Sequence, residues 1–219
     1  MCWNWKVSIV SFALISIVSY KLFTRGHAND KFLAVWICSY GFMQLFETFQ
    51  WLGQNPNYEY LNIFGSFCAA LLLYFHPLAA MIGMSVDSAY KSVINTNVFK
   101  LLLAASVFMA IFGIHRVSNA YINKTHTFIS KPDTISKHMV WEFPTDYIST
   151  MVIMLVTAVI FIAPKFLFIF VTLLIYYLLP ILVILLTMTV DEKNRLKNYS
   201  GSYWCWYVAM FSFLFLFLN

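Results

Sequence analysis

The stretch that decides the fold runs from Trp36 to Trp51, WICSYGFMQLFETFQW, and it places a carboxylate in a segment apolar enough to cross a membrane. At about 100° per residue, its polar and polar-tipped side chains fall within roughly 80° of one helical face. They are Trp36, Tyr40, Gln44, Glu47 and Trp51, with Leu45, Phe46 and Phe49 on the opposite side. Because an ionised group facing lipid would cost at least about 2.5 kcal/mol, this pattern predicts a polar site inside a helical bundle.

The sequence allows two roles for Glu47. It could form a proton or ligand site with Gln44, Tyr40 and Trp51, as intramembrane acids often do. Alternatively, it could be a neutral acid whose hydrogen bond to a neighbouring helix only holds the bundle together. Burial disfavours the charged form, so Glu47 is predicted to be protonated at neutral pH unless Lys6, Arg195 or Lys197 reaches it from the outer interface.

The composition of the chain is typical of an integral membrane protein. Hydrophobic residues make up 61% of its 219 residues and charged residues 11%, and the mean hydropathy is +0.75. We therefore expect an integral membrane protein whose first partner is the lipid bilayer. The net charge of +5 comes from Lys and Arg spread over short loops, so nucleic-acid binding is not expected. With 7 Gly against 22 Phe, helix contacts should depend on interdigitated rings more than on close glycine approaches.

The predicted fold class is all-α, a polytopic membrane helical bundle of seven transmembrane helices in a single domain, 1–219. The spans are placed near 7–23, 32–53, 61–86, 98–115, 147–163, 166–190 and 203–218. The hinge Ala163-Pro164-Lys165 is so short that the fifth and sixth spans could be one re-entrant unit, giving six. Residues 116–146 are predicted to form a long polar loop, which is interpreted as a solvated cap, a lid, a partner-binding surface or a disordered segment.

Orientation is predicted from loop charges and glycosylation acceptors. Short loops favour an N-terminus outside, and both sequons, Asn123-Lys-Thr and Asn198-Tyr-Ser, fall on the N-terminal side. We therefore expect an extracytoplasmic or lumenal N-terminus.

His76-Pro77 lies near the centre of the third span. The proline frees a carbonyl one turn back, which could satisfy a buried neutral His76. The alternative is a proton or ligand contact opposite Glu47. Asp87 closes the same span and is interpreted as a solvated charge at the helix end.

The two ends of the chain resemble each other, because each carries a cysteine beside tryptophan. The residues are Cys2 with Trp3, and Cys205 with Trp204 and Trp206. Since both ends are predicted on one face, a Cys2–Cys205 disulfide is compatible with the topology. The alternative is a belt of interfacial tryptophans beside free thiols. Catalysis by a Cys2 thiolate would require a base, for which Glu47 is the candidate.

The sequence lacks the motifs of several classes of metal, cofactor and catalytic site. The cysteines show no CxxC or Cys/His spacing, so no metal site or cofactor is expected. The seventh span has no lysine, which excludes a retinal Schiff base of the rhodopsin type. The chain has no HExxH, GxSxG or phosphate-binding glycine loop.

Three motifs together resemble those of a known family. They are Met1-Cys2-Trp3 followed by Ser8, Gln44-x-x-Glu47-x-x-x-Trp51, and Gly201-Ser202-x-Trp204-Cys205. This pattern resembles an uncharacterised family of small multi-pass membrane proteins from bacteria and large DNA viruses. Its bacterial members typically begin Met-Cys-Phe-Ser-Ala, whereas Trp3-Asn4 replaces Phe-Ser here. The resemblance implies a membrane protein but no activity. The composition, rich in Asn, Lys, Ile and Phe, would suit an AT-rich viral genome.

The sequence therefore favours transport, conduction or sensing of a proton or small solute at Gln44, Glu47 and Trp51. Two alternatives remain. The first is a membrane-embedded enzyme acting on lipid or thiol chemistry through Glu47, Cys2 and Cys205. The second is a structural or partner-binding viral membrane protein that uses residues 116–146.

Overall fold

The computed structural model describes residues 4–132 and 139–144, together with 212 and 216. This part of the chain contains five α-helices and one pair of very short strands. The helices are α1 (Trp5–Arg25), α2 (Asp30–Leu52), α3 (Glu59–Val86), α4 (Lys91–Ile94) and α5 (Asn97–Ile122). Strand β1 (Lys131–Pro132) pairs antiparallel with β2 (Met139–Val140), and 3-10 turns occupy Pro56–Tyr58 and Ser88–Tyr90. The predicted spans near 147–163, 166–190 and most of 203–218 lie outside the described residues.

The all-α prediction is confirmed. Four helical segments are long and apolar enough to cross a membrane: Trp5–Arg25, Asp30–Leu52, Pro56–Val86 and Asn97–Ile122. They correspond to the first four predicted spans. Their length and composition are compatible with an integral membrane protein.

The fourth helix is longer than predicted, which corrects the start of the polar loop. Helix α5 continues through Ile122, so residues 116–122 are helical and the loop begins after them. Hydropathy falls at His115-Arg116, but Val117 and Ala120 continue the buried stripe that contains Gly113. The change in polarity predicts a helix end here, whereas the 3.6-residue period of the helix continues for seven more residues.

Consecutive long helices pack side by side, α1 on α2, α2 on α3 and α3 on α5. Helices α2 and α3 therefore occupy the middle of the described bundle. Two buried clusters fill it. One surrounds Phe32 and Met84 at the α2 N-terminus, and the other surrounds Tyr74 and Phe128 towards the opposite end.

Glycine has a larger role in this packing than the sequence indicated. A Cβ placed on Gly41 would lie 2.9 Å from the Ile15 side chain, and one on Gly65 would lie 2.5 Å from the Phe46 carbonyl oxygen. Likewise, a Cβ on Gly113 would overlap Tyr74. Single glycines therefore let the backbones approach at all three helix pairs, in addition to the ring contacts that the composition predicts.

Asp87 does not have the solvated position expected for it. It is buried, and its Oδ2 accepts a hydrogen bond from the Phe32 backbone N–H at 3.1 Å. Its Oδ1 accepts another from Ala89 N–H at 2.9 Å. The carboxylate therefore satisfies a donor in the first turn of α2 and starts the turn that leads to α4, a favourable position for negative charge.

Candidate functional site

Gln44 and Glu47 form the centre of the site. Glu47 is 0% exposed and Gln44 is 1% exposed. The Gln44 Nε2 donates a hydrogen bond to Glu47 Oε2 at 3.2 Å. Because the two residues are three positions apart on α2, helical geometry alone places them on one face. The structure thus brings together the amide and the acid that the sequence pattern singled out.

Tyr40 and Trp36 continue this face towards the α2 N-terminus. The Trp36 and Tyr40 rings meet edge to face with centroids 5.8 Å apart, and Phe32 stacks on Trp36 at the same distance. Both predicted aromatics are buried. One turn separates each ring from the next, so they form a ladder along the helix.

His76 joins this ladder from α3. Its ring stacks on Tyr40 with centroids 4.3 Å apart, and its Nδ1 lies 3.2 Å from the Ser39 hydroxyl. The hydroxyl itself donates to the Trp36 carbonyl at 2.6 Å. His76 is therefore held across the α2–α3 interface, whereas the sequence suggested a carbonyl of its own helix.

The contacts of His76 also define its level along α2 relative to Glu47. It lies level with Ser39 and Tyr40, and Glu47 is seven residues beyond Tyr40 on α2. At 1.5 Å rise per residue this is about 10 Å along the helix. His76 and Glu47 thus occupy two levels of one polar face and do not face each other.

Trp51 and Gln50 extend the site towards the α2 C-terminus. Trp51 is half-buried, and its indole nitrogen is buried without a hydrogen-bond partner in the described part of the chain. Gln50 is 0% exposed, and neither atom of its amide has a hydrogen-bond partner there. Gln50 lies outside the 80° arc that the sequence predicts as the polar face, although its angular offset from Glu47 is only about 60°.

A second polar cluster caps this end of the face and was also missed. The Asn62 Nδ2 donates to the Ser130 carbonyl at 2.8 Å, and Ser130 N–H donates to Asn62 Oδ1 at 2.9 Å. The hydroxyls of Ser66 and Ser130 are 2.9 Å apart, and Gln54 Nε2 donates to the Ser130 carbonyl at 2.8 Å. Asn62 and Ser66 could have been recognised as a polar pair four residues apart in an apolar span. Nothing in the sequence indicated Ser130.

The described part of the predicted polar loop packs on the bundle. Phe128 is buried among Phe67 and Tyr121, and its N–H donates to the Glu142 carbonyl at 3.0 Å. Ser130 is buried beside Asn62. Phe128 and Ser130 therefore anchor the loop on the bundle, whereas residues 123–127 are exposed.

The terminal cysteine cluster cannot be placed, because Cys2, Trp3, Trp204, Cys205 and Trp206 lie outside the described residues. Within residues 4–132 and 139–144, Cys38 and Cys68 are free thiols on α2 and α3. The same residues contain no group of three His, Cys, Asp or Glu side chains arranged to hold a metal ion.

Comparisons with known proteins give no match, whether to family models, to curated proteins or to solved structures.

The hydrogen bond between Gln44 and Glu47 can form with Glu47 either ionised or protonated. The Gln44 amide is a neutral partner that donates to an ionised Glu47 and can accept a hydrogen bond from a protonated one. The hydrogen bond between Gln44 and Glu47 is therefore compatible with either protonation state of the acid.

Proposed function

We propose that the polar face of α2 conducts or senses a proton or a small solute, with Glu47 as the group that binds it. The observation that carries the proposal is the fully buried Gln44–Glu47 pair, joined at 3.2 Å. Burying a carboxyl costs free energy that an apolar residue would not, and such residues in membrane helices mark ion and proton pathways.

Polar groups on both sides of Glu47 support a pathway more than an isolated structural bond. His76 and Ser39 lie about 10 Å away towards the α2 N-terminus. Gln50 lies one turn away in the other direction, followed by the cluster of Asn62 and Ser130. Together these groups line most of the length of α2, as a relay of protons or water-sized solutes requires.

The proposal includes a topology. We infer that the chain crosses the membrane seven times, or six if the fifth and sixth spans are one unit, with an extracytoplasmic or lumenal N-terminus. Four apolar helices and the positions of the two sequons support it. The motif resemblance to the uncharacterised bacterial and viral family is consistent with a multi-pass protein and adds no activity.

The test is flux into reconstituted vesicles. Vesicles with a pH-sensitive dye inside, and either protein or no protein in the membrane, are given an inward proton gradient and a defined membrane potential. The proposal predicts dye acidification above the protein-free rate, lost in Glu47→Ala. An unchanged rate in Glu47→Ala, or no flux for protons or any small solute tried, contradicts it.

The same preparation separates the two alternatives. An enzyme of thiol chemistry predicts turnover of a lipid substrate that alkylation of the cysteines abolishes. A partner-binding protein predicts a stable copurifying partner that is lost when residues 123–144 are trimmed. Neither result is expected if the polar face is a pathway.

A further inference from the structure

We propose that one end of the described bundle binds the phosphate headgroups of anionic phospholipids through four lysines. They are Lys21, Lys31, Lys91 and Lys100, and together they define the basic end of the bundle. The proposal goes beyond the proposed function, because it involves neither the Gln44–Glu47 pair nor the movement of a solute.

The first observation is that the fold gathers these four lysines, which lie on four different helices. Each one is the sequence neighbour of a residue in a single buried cluster. The neighbours are Leu22 on α1, Phe32 on α2, Tyr90 just before α4 and Phe99 on α5. The rings of Phe32 and Tyr90, for example, have centroids 5.5 Å apart. Because the cluster residues pack together, the lysines surround one end of the bundle although they are far apart in the sequence.

The second observation is that the acids of this end in the described part of the chain are buried. Asp30 and Asp87 are 2% and 4% exposed. Asp30 is paired with Arg25, whose Nη2 lies 2.7 Å from Oδ1, and Asp87 accepts two backbone N–H groups. None of the four lysines forms an ion pair with a described acid. Three of them are exposed and Lys31 is half-buried, so their charge remains at the surface.

The opposite end of the bundle has a mixed charge. Its lysines Lys6, Lys124 and Lys131 are exposed, and so are two acids, Glu59 and Glu142. Within the described residues, a surface of lysines without exposed acids is therefore specific to the basic end. Clusters of lysine beside membrane helices attract anionic lipid headgroups. Charge complementarity thus favours an anionic lipid as the partner of this end.

Apolar groups beside the lysines favour a lipid over a soluble phosphate. The Lys31 Nζ lies 5.8 Å from the centroid of the Phe23 ring, which is 48% exposed. Tyr20, one turn earlier on α1, is 71% exposed, and Leu101 beside Lys100 is 70% exposed. A lysine next to an exposed ring presents its ammonium group at the boundary between apolar surface and water, where a lipid has its phosphate. In the proposed orientation this boundary faces the inside, where anionic lipids are concentrated.

The experiment measures the lipid selectivity of the full-length protein in vesicles by electron paramagnetic resonance. The vesicles consist of phosphatidylcholine in both leaflets, with a trace of spin-labelled phosphatidylglycerol or spin-labelled phosphatidylcholine. The fractions of the two labelled lipids that the protein immobilises give the ratio of their association constants. We expect the wild type to favour phosphatidylglycerol by roughly fivefold or more at low salt. Most of this preference should be lost at about 0.5 M NaCl, where exposed charges are screened.

Two triple variants remove the same charge from opposite ends of the bundle. The basic-end variant is Lys21→Gln/Lys91→Gln/Lys100→Gln, and the control is Lys6→Gln/Lys124→Gln/Lys131→Gln. All six side chains are exposed, so both proteins should fold, which their melting temperatures check. The basic-end variant should lose most of the preference for phosphatidylglycerol, and the control should keep it. If either triple variant does not fold, the single variants Lys91→Gln and Lys124→Gln repeat the comparison.

Three results would overturn the proposal. The first is a wild type without any preference for phosphatidylglycerol. The second is an equal loss of preference in the basic-end variant and the control, which would show that only net charge matters. The third is release of the labelled phosphatidylglycerol by inorganic phosphate, compared with sodium chloride at the same ionic strength, which would indicate a site for soluble phosphate. None of the substituted residues belongs to the polar face of α2, so these results are independent of proton flux.

Discussion

Asn62 and Ser130, 68 positions apart in the chain, exchange two hydrogen bonds. The Asn62 amide donates to the Ser130 carbonyl at 2.8 Å and accepts from its N–H at 2.9 Å. One side chain therefore satisfies both backbone groups of a buried loop residue. This reciprocal pair fixes the loop after α5 over the end of the polar face of α2.

The first prediction concerns this pair. Asn62→Leu keeps the approximate volume and leaves the Ser130 N–H without its acceptor, so we expect a loss of about 1–3 kcal/mol in the free energy of unfolding. The loop should also become more susceptible to trypsin at Lys124. Asn57→Ala, in an exposed turn, is the control and should change neither measurement. Unchanged stability and proteolysis in Asn62→Leu would show that the loop is held by other contacts.

A second prediction tests the buried Asp87 carboxylate. Asp87→Ala removes the acceptor of two backbone N–H groups, on Phe32 and Ala89, and should lower the free energy of unfolding by about 1–3 kcal/mol. Asp87→Asn keeps one acceptor oxygen and should lose less. The exposed acid Glu59, at the start of α3, provides the control Glu59→Ala. Equal melting temperatures for Asp87→Ala and Glu59→Ala would mean that Asp87 is only a surface charge.

Tyr90 gives a prediction with a defined pH dependence. Burial, and secondarily the nearby Asp87, raise the pKa of the Tyr90 phenol well above its ordinary value of 10. The native state therefore binds this proton more tightly than the unfolded state does. The stabilisation from this proton is complete below pH 10, the ordinary pKa of the phenol. It is lost as the pH rises from 10 towards the raised pKa of the folded state, by up to about 1.4 kcal/mol per pH unit.

The measurement is the free energy of unfolding between pH 9 and 11.5 for the wild type and Tyr90→Phe. In Tyr90→Phe, the free energy of unfolding should fall less steeply with rising pH, because the Tyr90 phenol no longer contributes to the decrease. Tyr60→Phe, which alters a side chain that is 62% exposed, should keep it. If the free energy of unfolding of Tyr90→Phe fell with pH as steeply as that of the wild type, the pKa of Tyr90 would not be raised.

Topology can be tested by labelling in a cysteine-free background. Thr125 and Ser92 are exposed at opposite ends of α5, so cysteines introduced there should react with an impermeant maleimide from opposite sides of the membrane. The proposed orientation predicts that Thr125 labels from the outside. A cysteine at Asn198, which lies outside the described residues, should label on the same side as Thr125 if the chain has seven spans. Labelling of Thr125 from the inside reverses the orientation, and labelling of Asn198 opposite Thr125 rejects the seven-span topology.

Periodicity and composition were sufficient to predict the first four helices and the pairing of Gln44 with Glu47. Both depend on spacing within one helix, which the sequence displays directly. The position of His76 required the register between α2 and α3, set in part by the close approach at Gly65. The sequence around a single glycine in an apolar segment does not indicate which helix the glycine will contact. The register between α2 and α3 was therefore not predictable from sequence.

The role of Asp87 and the position of the loop were missed for a related reason. A polar residue just beyond an apolar span looks solvated in sequence, whereas Asp87 and Ser130 find their partners 55 and 68 residues away. Gln50 lies just outside the arc of about 80° that the sequence predicts as the polar face. The buried surface of α2 is wider, since this helix packs against both α1 and α3.

The measurement that tests the central claim most directly compares Glu47→Gln with the wild type for both melting temperature and proton flux in vesicles. Gln keeps the volume and a hydrogen-bonding group beside Gln44 but cannot release a proton, so the variant should melt within about 2 °C of the wild type. A proton pathway through Glu47 predicts a flux reduced to the protein-free rate in this folded variant. Normal folding together with wild-type flux would contradict the account and leave Glu47 as a structural hydrogen-bonding group.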